Sequence, residues 1–304
     1  MSVPTFQRLM LPLLQCASEK SGETFLGEIS EKIAEQFSLD EADLAQVLPS
    51  GKQTVFLNRL NWAKSYIAKA GLLESTRRGY FRITPQGRDF LAQNPSDLNV
   101  SVLLNFPQFA AWRDSEKSST NAVDEEERAS EINPEEKIAL SFQILTKDLS
   151  AELIGRVHSF TPAFFESLIV DLLLAMGYGG GRAEMGRALG RSGDGGIDGV
   201  IKEDELGLDV VYIQAKRYAP ANAVAASEVR DFVGSLEGHR ASKGVFVTTS
   251  YFPQSAKDFV DRVSKRVILI DGAELARLMI RHNVGVRTKD TYEIKKIDED
   301  YFVE

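Results

Sequence analysis

The chain has 304 residues, of which 43% are hydrophobic and 26% charged, and its formal net charge is −8. This is enough apolar material for about two globular domains, and no apolar run reaches the roughly 18 residues of a membrane span. The single cysteine, Cys16, excludes an intrachain disulfide framework and a zinc site built from several cysteines. Because the N-terminus also lacks a signal-peptide pattern, we expect a cytoplasmic protein without membrane association.

Residues 1–93 are predicted to form a domain of helices followed by one small hairpin. Apolar residues recur with helical spacing from Phe6, and the strongest helix covers residues 55–70. The other predicted elements are helices over 26–37 and 41–48 and extended runs over 72–75 and 80–83. The turn between the two extended runs is basic, and Thr84-Pro85 then begins another helix. Helices followed by a basic hairpin are the order of a winged-helix DNA-binding domain.

The charge of this region favours nucleic acid as a partner. Residues 50–94 contain eight basic and two acidic residues, a local charge of +6. Asparagine side chains on the outer face of the 55–70 helix suit adenine in the major groove, and arginines at the hairpin suit phosphate or the minor groove. For Asn58 and Ser65 an ordinary solvated helix face is an equal alternative. The predicted DNA contacts are Lys52, Asn58, Asn61, Ser65, Lys69, Arg77 and Arg78.

Residues 94–156 are predicted to form an acidic flexible linker and a connecting helix. Between residues 113 and 136 there are nine acidic and three basic residues, and we expect disorder over 115–133. A helix then begins at Asn133-Pro134 and places four apolar residues on one stripe. These residues are Ile138, Phe142, Leu145 and Leu149. The stripe is a packing seam, either against the protein itself or against a second copy.

Residues 157–304 alternate between predicted helices and strands, which indicates an α/β domain with a mixed sheet. A helix begins at Thr161-Pro162 and runs to Met176. The predicted strands cover 196–201, 209–217, 244–249 and 266–271, and further helices cover 227–236, 254–263 and 273–282. The chain is therefore α/β in this half and α+β overall.

One constellation in this domain carries chemistry. Segment 193–199 reads Gly-Asp-Gly-Gly-Ile-Asp-Gly, and Gln214 follows its Asp198 by sixteen residues. Because strand side chains alternate, Gln214 and Lys216 share one face, and a hairpin brings Asp198 beside them. A carboxylate, a neutral oxygen ligand and an ammonium suit Mg²⁺-assisted hydrolysis of a phosphodiester.

Glu166 is a candidate second carboxylate, since it lies at the edge of the apolar arc of its helix. The predicted catalytic residues are Asp198, Gln214, Lys216 and Glu166, and the predicted metal-site residues are Asp198, Gln214, Ala215 and Glu166. The histidines lie far apart in sequence, so no zinc site is expected. No Walker sequence occurs, so we expect no use of ATP.

These motifs, taken in order, resemble the Mrr family of restriction endonucleases. The residues that carry the resemblance are Phe164-Phe165-Glu166, segment 193–199, Gln214-Ala215-Lys216-Arg217 and Gly244-Val245-Phe246-Val247-Thr248-Thr249-Ser250, with Ser50-Gly51-Lys52 and Asn61-Trp62-Ala63 in the N-terminal half. The resemblance implies a restriction-endonuclease-like PD-(D/E)xK nuclease domain over 157–304 with Asp198 as metal ligand and Lys216 as catalytic lysine. Gln214 stands where the wider superfamily has an acidic residue, and Gln is the variant expected in this family.

The resemblance further implies a type IV, modification-dependent enzyme that cuts methylated foreign double-stranded DNA with Mg²⁺, for which Mn²⁺ is a substitute. A repair or junction nuclease of the same fold, and a non-catalytic winged-helix regulator, are the alternatives. Each chain carries one active-site set, whereas the two DNA strands are antiparallel. We therefore expect a homo-oligomer, at least a dimer, when both strands are cut.

Overall fold

The computed structural model describes residues 2–20, 22–49, 51–77, 79–116, 132–189, 196–298 and 301, without the side chains of 114–116. It forms two compact units. The N-terminal unit comprises Met1–Ile144 and Ile294–Glu304, and the C-terminal unit comprises Leu145–Glu293. In the described ranges no helix is both long enough and apolar enough to span a membrane.

The N-terminal unit begins with the elements of a winged helix. In chain order they are α1 (Phe6–Ser18), β1 (Thr24–Phe25), α2 (Leu26–Gln36), α3 (Glu41–Ala45), α4 (Val55–Lys69), β2 (Leu73–Arg77), β3 (Tyr80–Ile83) and α5 (Pro85–Ala92). The strands form an antiparallel sheet in the order β1-β3-β2. The predicted helices and hairpin are therefore present. The two-residue strand β1 was not predicted, because it is too short to show an alternating pattern.

The fold of this unit continues beyond residue 93, where the sequence placed the start of the linker. Helices α6 (Val100–Leu103) and α7 (Pro107–Glu116) follow, and Leu98, Leu103 and Phe109 are fully buried in the core. The Phe109 ring lies 5.7 Å from that of Tyr66 on α4. These apolar residues are spaced too irregularly to predict a helix, but aromatic packing against α4 orders them. The acidic residues 117–131 lie outside the described residues.

A buried polar network joins α4 to the start of the next helix, α8 (Pro134–Ser159). Asn133 donates to the Asn58 side chain at 2.7 Å, and Asn58 donates to Glu135. Arg59 and Glu136 form two parallel hydrogen bonds of 2.9 and 2.8 Å, with side chains only 15% and 6% exposed. Removing one partner of such a pair lowers the free energy of unfolding by about 3–5 kcal/mol, because the other charge stays buried without a counter-charge. The predicted start of this helix at Asn133-Pro134 is confirmed.

The apolar stripe predicted on α8 is largely exposed. Ile138, Phe142, Leu145 and Leu149 keep between 38% and 67% of their surface exposed. Packing against the protein's own chain thus covers only part of this stripe.

The C-terminal unit is built on a five-stranded mixed sheet. Its elements after α8 are α9 (Pro162–Ala175), two short 3₁₀ turns, β4 (Gly186–Ala188), β5 (Gly199–Lys202), β6 (Val210–Lys216), α10 (Ala226–Gly238), β7 (Lys243–Thr248), α11 (Gln254–Val260), β8 (Arg266–Ile270) and α12 (Gly272–Arg281). The strand order is β4-β5-β6-β7-β8; β4, β5 and β6 pair antiparallel, and β6, β7 and β8 pair parallel. The predicted mixed sheet is confirmed, and β4 was not predicted.

Helices cover both faces of this sheet, which explains the continuous apolar run of β7. On one face Ile213 and Val247 pack with Phe165 of α9 and with α12. On the other face Phe246 packs with Phe232 of α10 and with α11. Thr161 caps α9 by accepting from the Phe164 N–H, as its position before a proline predicts. These layers hold β5, β6 and the first turns of α9 in place around one end of the sheet.

Candidate active site

Asp198 is held beside β6 by the antiparallel pairing of β5 with β6. In this ladder Gly199 lies opposite Ile213, so that Asp198, one residue earlier, lies opposite Gln214. The Asp198 N–H donates to the Ile213 carbonyl at 2.8 Å, and the Ala215 N–H donates to Asp198 Oδ2 at 2.8 Å. The hairpin thus brings Asp198 next to the Gln-x-Lys segment, as we predicted from strand alternation.

Gln214 is buried, with 5% of its surface exposed. Its Oε1 atom has no hydrogen-bond partner among the described residues. Gly196 has a φ of +86°, which favours glycine there, and a Cβ atom at this position would lie 2.7 Å from Gln214 Nε2. The backbone of segment 193–199 thus passes close to the amide, whose buried oxygen is a strong acceptor left unsatisfied, which is costly unless something binds it.

The pKa of Glu166 is influenced by the charges of Asp198 and Lys216. Burial raises the pKa of the Glu166 carboxyl, the Asp198 charge raises this pKa further, and Lys216 lowers it. Burial also raises the pKa of Asp198, against the Ala215 N–H and Lys216, which lower it. Glu166, on α9, is thus near enough to both groups for their charges to interact. The β5–β6 ladder places Asp198 beside the Gln214–Lys216 segment, and Glu166 is linked to this group through the effect of the Asp198 and Lys216 charges on its pKa.

This set of donors fits a divalent cation. Two carboxylates and an amide oxygen are hard oxygen ligands of the kind that Mg²⁺ prefers. Within the described ranges no group of three or more His, Cys, Asp or Glu side chains is placed to hold a metal ion, so the neutral Gln214 oxygen is needed to complete the set. Ala215 offers only its main chain, and its N–H is already bonded to Asp198.

Hydrogen bonds that were not predicted from the sequence hold Lys216 and the residues that follow it. Arg217 donates to the His158 carbonyl, and the Tyr218 hydroxyl lies 2.5 Å from Glu228 Oε1, a bond that raises the pKa of this tyrosine. Thr248 of β7 donates to the Lys216 carbonyl at 2.8 Å. Thr248 lies in the predicted strand 244–249 and in the segment that resembles the Mrr family, but its contact with Lys216 was not predicted. Residues 190–195, which include the first part of the glycine-rich motif, lie outside the described residues.

On α4 the structure corrects one predicted DNA contact. Asn58 does not face outward: it is 1% exposed and bonded within the buried network, because residues 133–136 cover that side of the helix. Asn61 is exposed, although its amide donates to the Leu57 carbonyl at 2.8 Å. Ser65 and Lys69 are half-buried, and the Lys69 ammonium lies 3.5 Å from the Trp112 ring centroid.

The remaining predicted DNA contacts lie on either side of α4 in sequence. Lys52 is exposed before this helix. Arg77 lies at the end of β2, where it pairs with Glu23 at 3.0 Å and covers the Tyr80 ring at 3.7 Å. Arg78 lies outside the described residues.

The chain matches two family models and one curated relative along its length. Residues 157–279 match the model described as a restriction endonuclease, the Mrr catalytic domain, and residues 6–93 match the Mrr N-terminal domain. The chain is 36% identical over 310 aligned positions to the type IV methyl-directed restriction enzyme EcoKMrr of Escherichia coli strain K12. That alignment covers 99% of this chain and 100% of the relative.

Two solved structures are also similar to parts of the chain. The DNA modification-dependent restriction endonuclease AspBHI is 25% identical with a TM-score of 0.37, over 47% of this chain and 36% of that one. The MspJI restriction endonuclease in complex with a 27-mer oligonucleotide is 24% identical with a TM-score of 0.30, over 68% of this chain and 49% of that one.

Removing the Asp198 charge should stabilise the metal-free fold at neutral pH. Because the pKa of Asp198 is raised, the folded protein keeps this proton at pH values where the unfolded chain has lost it. The free energy of unfolding therefore falls as the pH rises from the ordinary aspartate pKa through the raised one, and Asp198→Asn removes that fall. In chelator, thermal unfolding midpoints of D198N and wild type should coincide in acid and separate, with the variant higher, towards neutral pH.

Asp204→Asn is a control for which the expected change in thermal stability has the opposite sign. Main-chain N–H groups, first that of Asp209, lower the pKa of Asp204, so this carboxylate stabilises the fold above the ordinary aspartate pKa and loses that effect in acid. D204N should therefore melt below wild type at neutral pH. A D198N protein that also melts below wild type there would contradict the assignment of Asp198 as a partly buried carboxylate whose pKa is raised.

Proposed function

The chain belongs to the Mrr family of restriction endonucleases, and from this premise we propose that it cuts methylated double-stranded DNA in a reaction that depends on Mg²⁺, for which Mn²⁺ can substitute. The observation that carries the proposal is the β5–β6 pairing, which sets Asp198 beside the Gln214–Lys216 segment with the Ala215 N–H bonded to its carboxylate. The Lys216 charge lowers the pKa of both Asp198 and Glu166, which supports the inclusion of Glu166. The methyl-directed activity named for the E. coli relative, similar over its whole length, supports methylated DNA as the substrate. A non-catalytic regulator would have no use for carboxylates whose ionised form is opposed by burial.

Each residue of the site has a distinct role in this proposal. Asp198, Glu166 and the Gln214 side-chain oxygen would hold the cation, which when bound acidifies water and neutralises charge on the phosphate. The Ala215 N–H orients the Asp198 carboxylate. The Lys216 ammonium orients the attacking water and stabilises negative charge that develops on the phosphate oxygens.

We propose that the N-terminal unit reads DNA through the exposed part of α4 and the hairpin. Asn61 would contact base edges, while Lys52 and Arg77 would contact phosphates. Ser65 and Lys69 flank this surface with only part of each residue exposed. Asn58 is left out because residues 133–136 cover it.

We propose that the chain acts in the cytoplasm. We propose further that it is a homodimer when it cuts both strands, because one active site accepts a DNA strand in one direction only and the two strands run in opposite directions. The stripe of α8 supports this, since its four exposed apolar residues would be removed from water by packing against a second copy.

Cleavage should require the site and a methylated substrate. In Mg²⁺, wild-type protein should linearise a methylated plasmid and leave its unmethylated twin intact. Asp198→Ala and Lys216→Ala should each slow cleavage at least about a hundredfold, because each removes a group that acts on the reacting phosphate. Gel assays of both plasmids measure the rates, and fluorescence anisotropy checks that DNA binding is retained.

Lys202→Ala is the matched control, since Lys202 is an exposed lysine at the far end of the same hairpin. It should cut at the wild-type rate. Wild-type rates from D198A or K216A would refute the site, and equal cutting of both plasmids would refute methyl direction.

Asn61→Ala and Asn58→Ala should have separable effects. Asn61→Ala should weaken DNA binding about tenfold without changing stability, because a base contact is worth about 1–3 kcal/mol. Asn58→Ala should lower the free energy of unfolding by about 1–3 kcal/mol, because it leaves buried partners unsatisfied. Anisotropy and denaturant titration measure the two quantities. If N58A instead keeps wild-type stability and loses DNA binding, while N61A binds normally, the orientation assigned to α4 is wrong.

Mixing active and inactive chains should reveal the dimer. If two sites act together, adding excess Asp198→Ala protein to wild type should shift products from linear DNA to nicked circles. Light scattering should give at least twice the chain mass under cutting conditions. A monomer that makes double-strand breaks unaffected by added D198A would exclude the dimer.

A further inference from the structure

Three consecutive hydroxyl side chains lie at the end of β7, beside the catalytic end of β6. Thr248, Thr249 and Ser250 are buried, with 0%, 2% and 6% of their surfaces exposed. Lys216 lies opposite Thr248 in the parallel ladder. These residues end segment 244–250, which resembles the Mrr family, and they have no role in the function proposed above.

Each hydroxyl donates to a main-chain carbonyl of the segment that leaves β6. Thr248 Oγ1 donates to the Lys216 carbonyl at 2.8 Å, and Thr249 Oγ1 donates to the Tyr218 carbonyl at 2.7 Å. Ser250 Oγ donates to the Asn222 carbonyl. We call these three residues the hydroxyl latch.

The latch adds short side-chain hydrogen bonds where the regular ladder ends. The β6–β7 ladder ends at Lys216, whose carbonyl accepts from the Tyr218 N–H at 3.2 Å and the Thr249 N–H at 3.4 Å, both longer than its 2.8 Å bond from Thr248. Buried carbonyls need donors, and side-chain hydroxyls provide them where the strand ends. The latched residues are themselves backed by α12, since the Gly272 N–H donates to the Ser250 carbonyl at 2.8 Å. A Cβ atom at Gly272 would lie 2.4 Å from the Thr249 carbonyl oxygen, so the approach is close.

We propose that the hydroxyl latch positions Lys216 for catalysis, with Thr248 as its principal positioning residue. This inference rests on the catalytic role proposed for Lys216. The bond from Thr248 is the shortest of three to the Lys216 carbonyl, so it contributes most to holding the peptide plane that follows Lys216, and this plane sets the direction in which the lysine side chain leaves the strand. A displacement of about 1 Å in a catalytic group costs up to about a hundredfold in rate, so a single hydrogen bond at this point acts on the reaction.

The latch differs in its effects from a contact that only stabilises the fold. Five register pairs from Val211 to Ala215 still join β6 to β7 when the Thr248 hydroxyl is removed. The strand should therefore remain paired, while the Lys216 carbonyl keeps only its two longer main-chain bonds and the lysine is held less precisely. A positioning role predicts a loss of rate at saturating DNA that is larger than the loss of stability would explain.

The test uses the full chain with Thr248→Val, which keeps the shape and removes the hydroxyl, and Thr248→Ser, which keeps the hydroxyl. Single-turnover cleavage at saturating Mg²⁺ and DNA should be at least about tenfold slower in T248V, with DNA affinity in chelator within about twofold of wild type. T248S should recover to within about threefold of the wild-type rate. Thr84→Val is the matched control, since the Thr84 hydroxyl donates to the Gly71 carbonyl at 2.6 Å in the N-terminal unit. It should lower the melting temperature without slowing cleavage.

A wild-type rate for T248V, a T248S as slow as T248V, or equal slowing by T84V would each overturn the proposal. If T248V does not fold, Thr249→Val gives the same reading, and a wild-type rate there overturns the proposal equally. Lys216→Ala separates the two levels of inference. If K216A still cleaves, the proposed function of Lys216 fails; if K216A is inactive while the latch variants cut normally, only the latch fails.

Discussion

The pairing of β5 with β6 is the constraint on which the candidate active site depends. It sets Asp198 opposite Gln214, and the Ala215 N–H then orients the carboxylate. A slip of one residue would turn Asp198 to the other face of the sheet and remove this bond. Because β6 also pairs with β7, the same strand receives Asp198 from one neighbour and the support of Thr248 from the other.

The site that results is electrostatically costly without a bound cation. Burial raises the pKa of both the Asp198 and Glu166 carboxyls, and the Asp198 charge raises that of Glu166 further. Lys216 offsets this only in part, and Gln214 adds an unsatisfied acceptor beside it. A protein that keeps such an arrangement trades stability for affinity towards a cation, which is how perturbed carboxylates commonly mark functional sites. Gln214 in place of an acidic residue reduces the repulsion by one charge.

In the N-terminal unit the local charge of +6 over residues 50–94 overstates the positive charge that DNA would meet. Among the described residues Arg59 pairs with Glu136 and Arg77 with Glu23, acids outside this segment, while the pair of Arg82 with Glu74 is already counted within it. The exposed pairs at the hairpin are weak and easily exchanged for phosphate contacts. The buried Arg59–Glu136 pair is not exchanged in this way, so it fixes the first turn of α8 against α4 and defines which side of α4 faces outward.

The sequence by itself determined the features that depend on local periodicity and capping. The alternation of β6, the cap of α9 at Thr161 and the order of helices and hairpin all follow from residues a few positions apart. The Asp198 and Gln-x-Lys set could also be predicted, because a hairpin relates its two parts by simple alternation. Tertiary structure alone decided the burial of Asn58, since its partner Asn133 lies 75 residues away. It also decided that residues 98–109 join the core and that Thr248 supports Lys216, 32 residues earlier. Contacts at such separations leave no periodic signal in the chain, because they depend on which surfaces meet and not on how neighbouring residues are spaced.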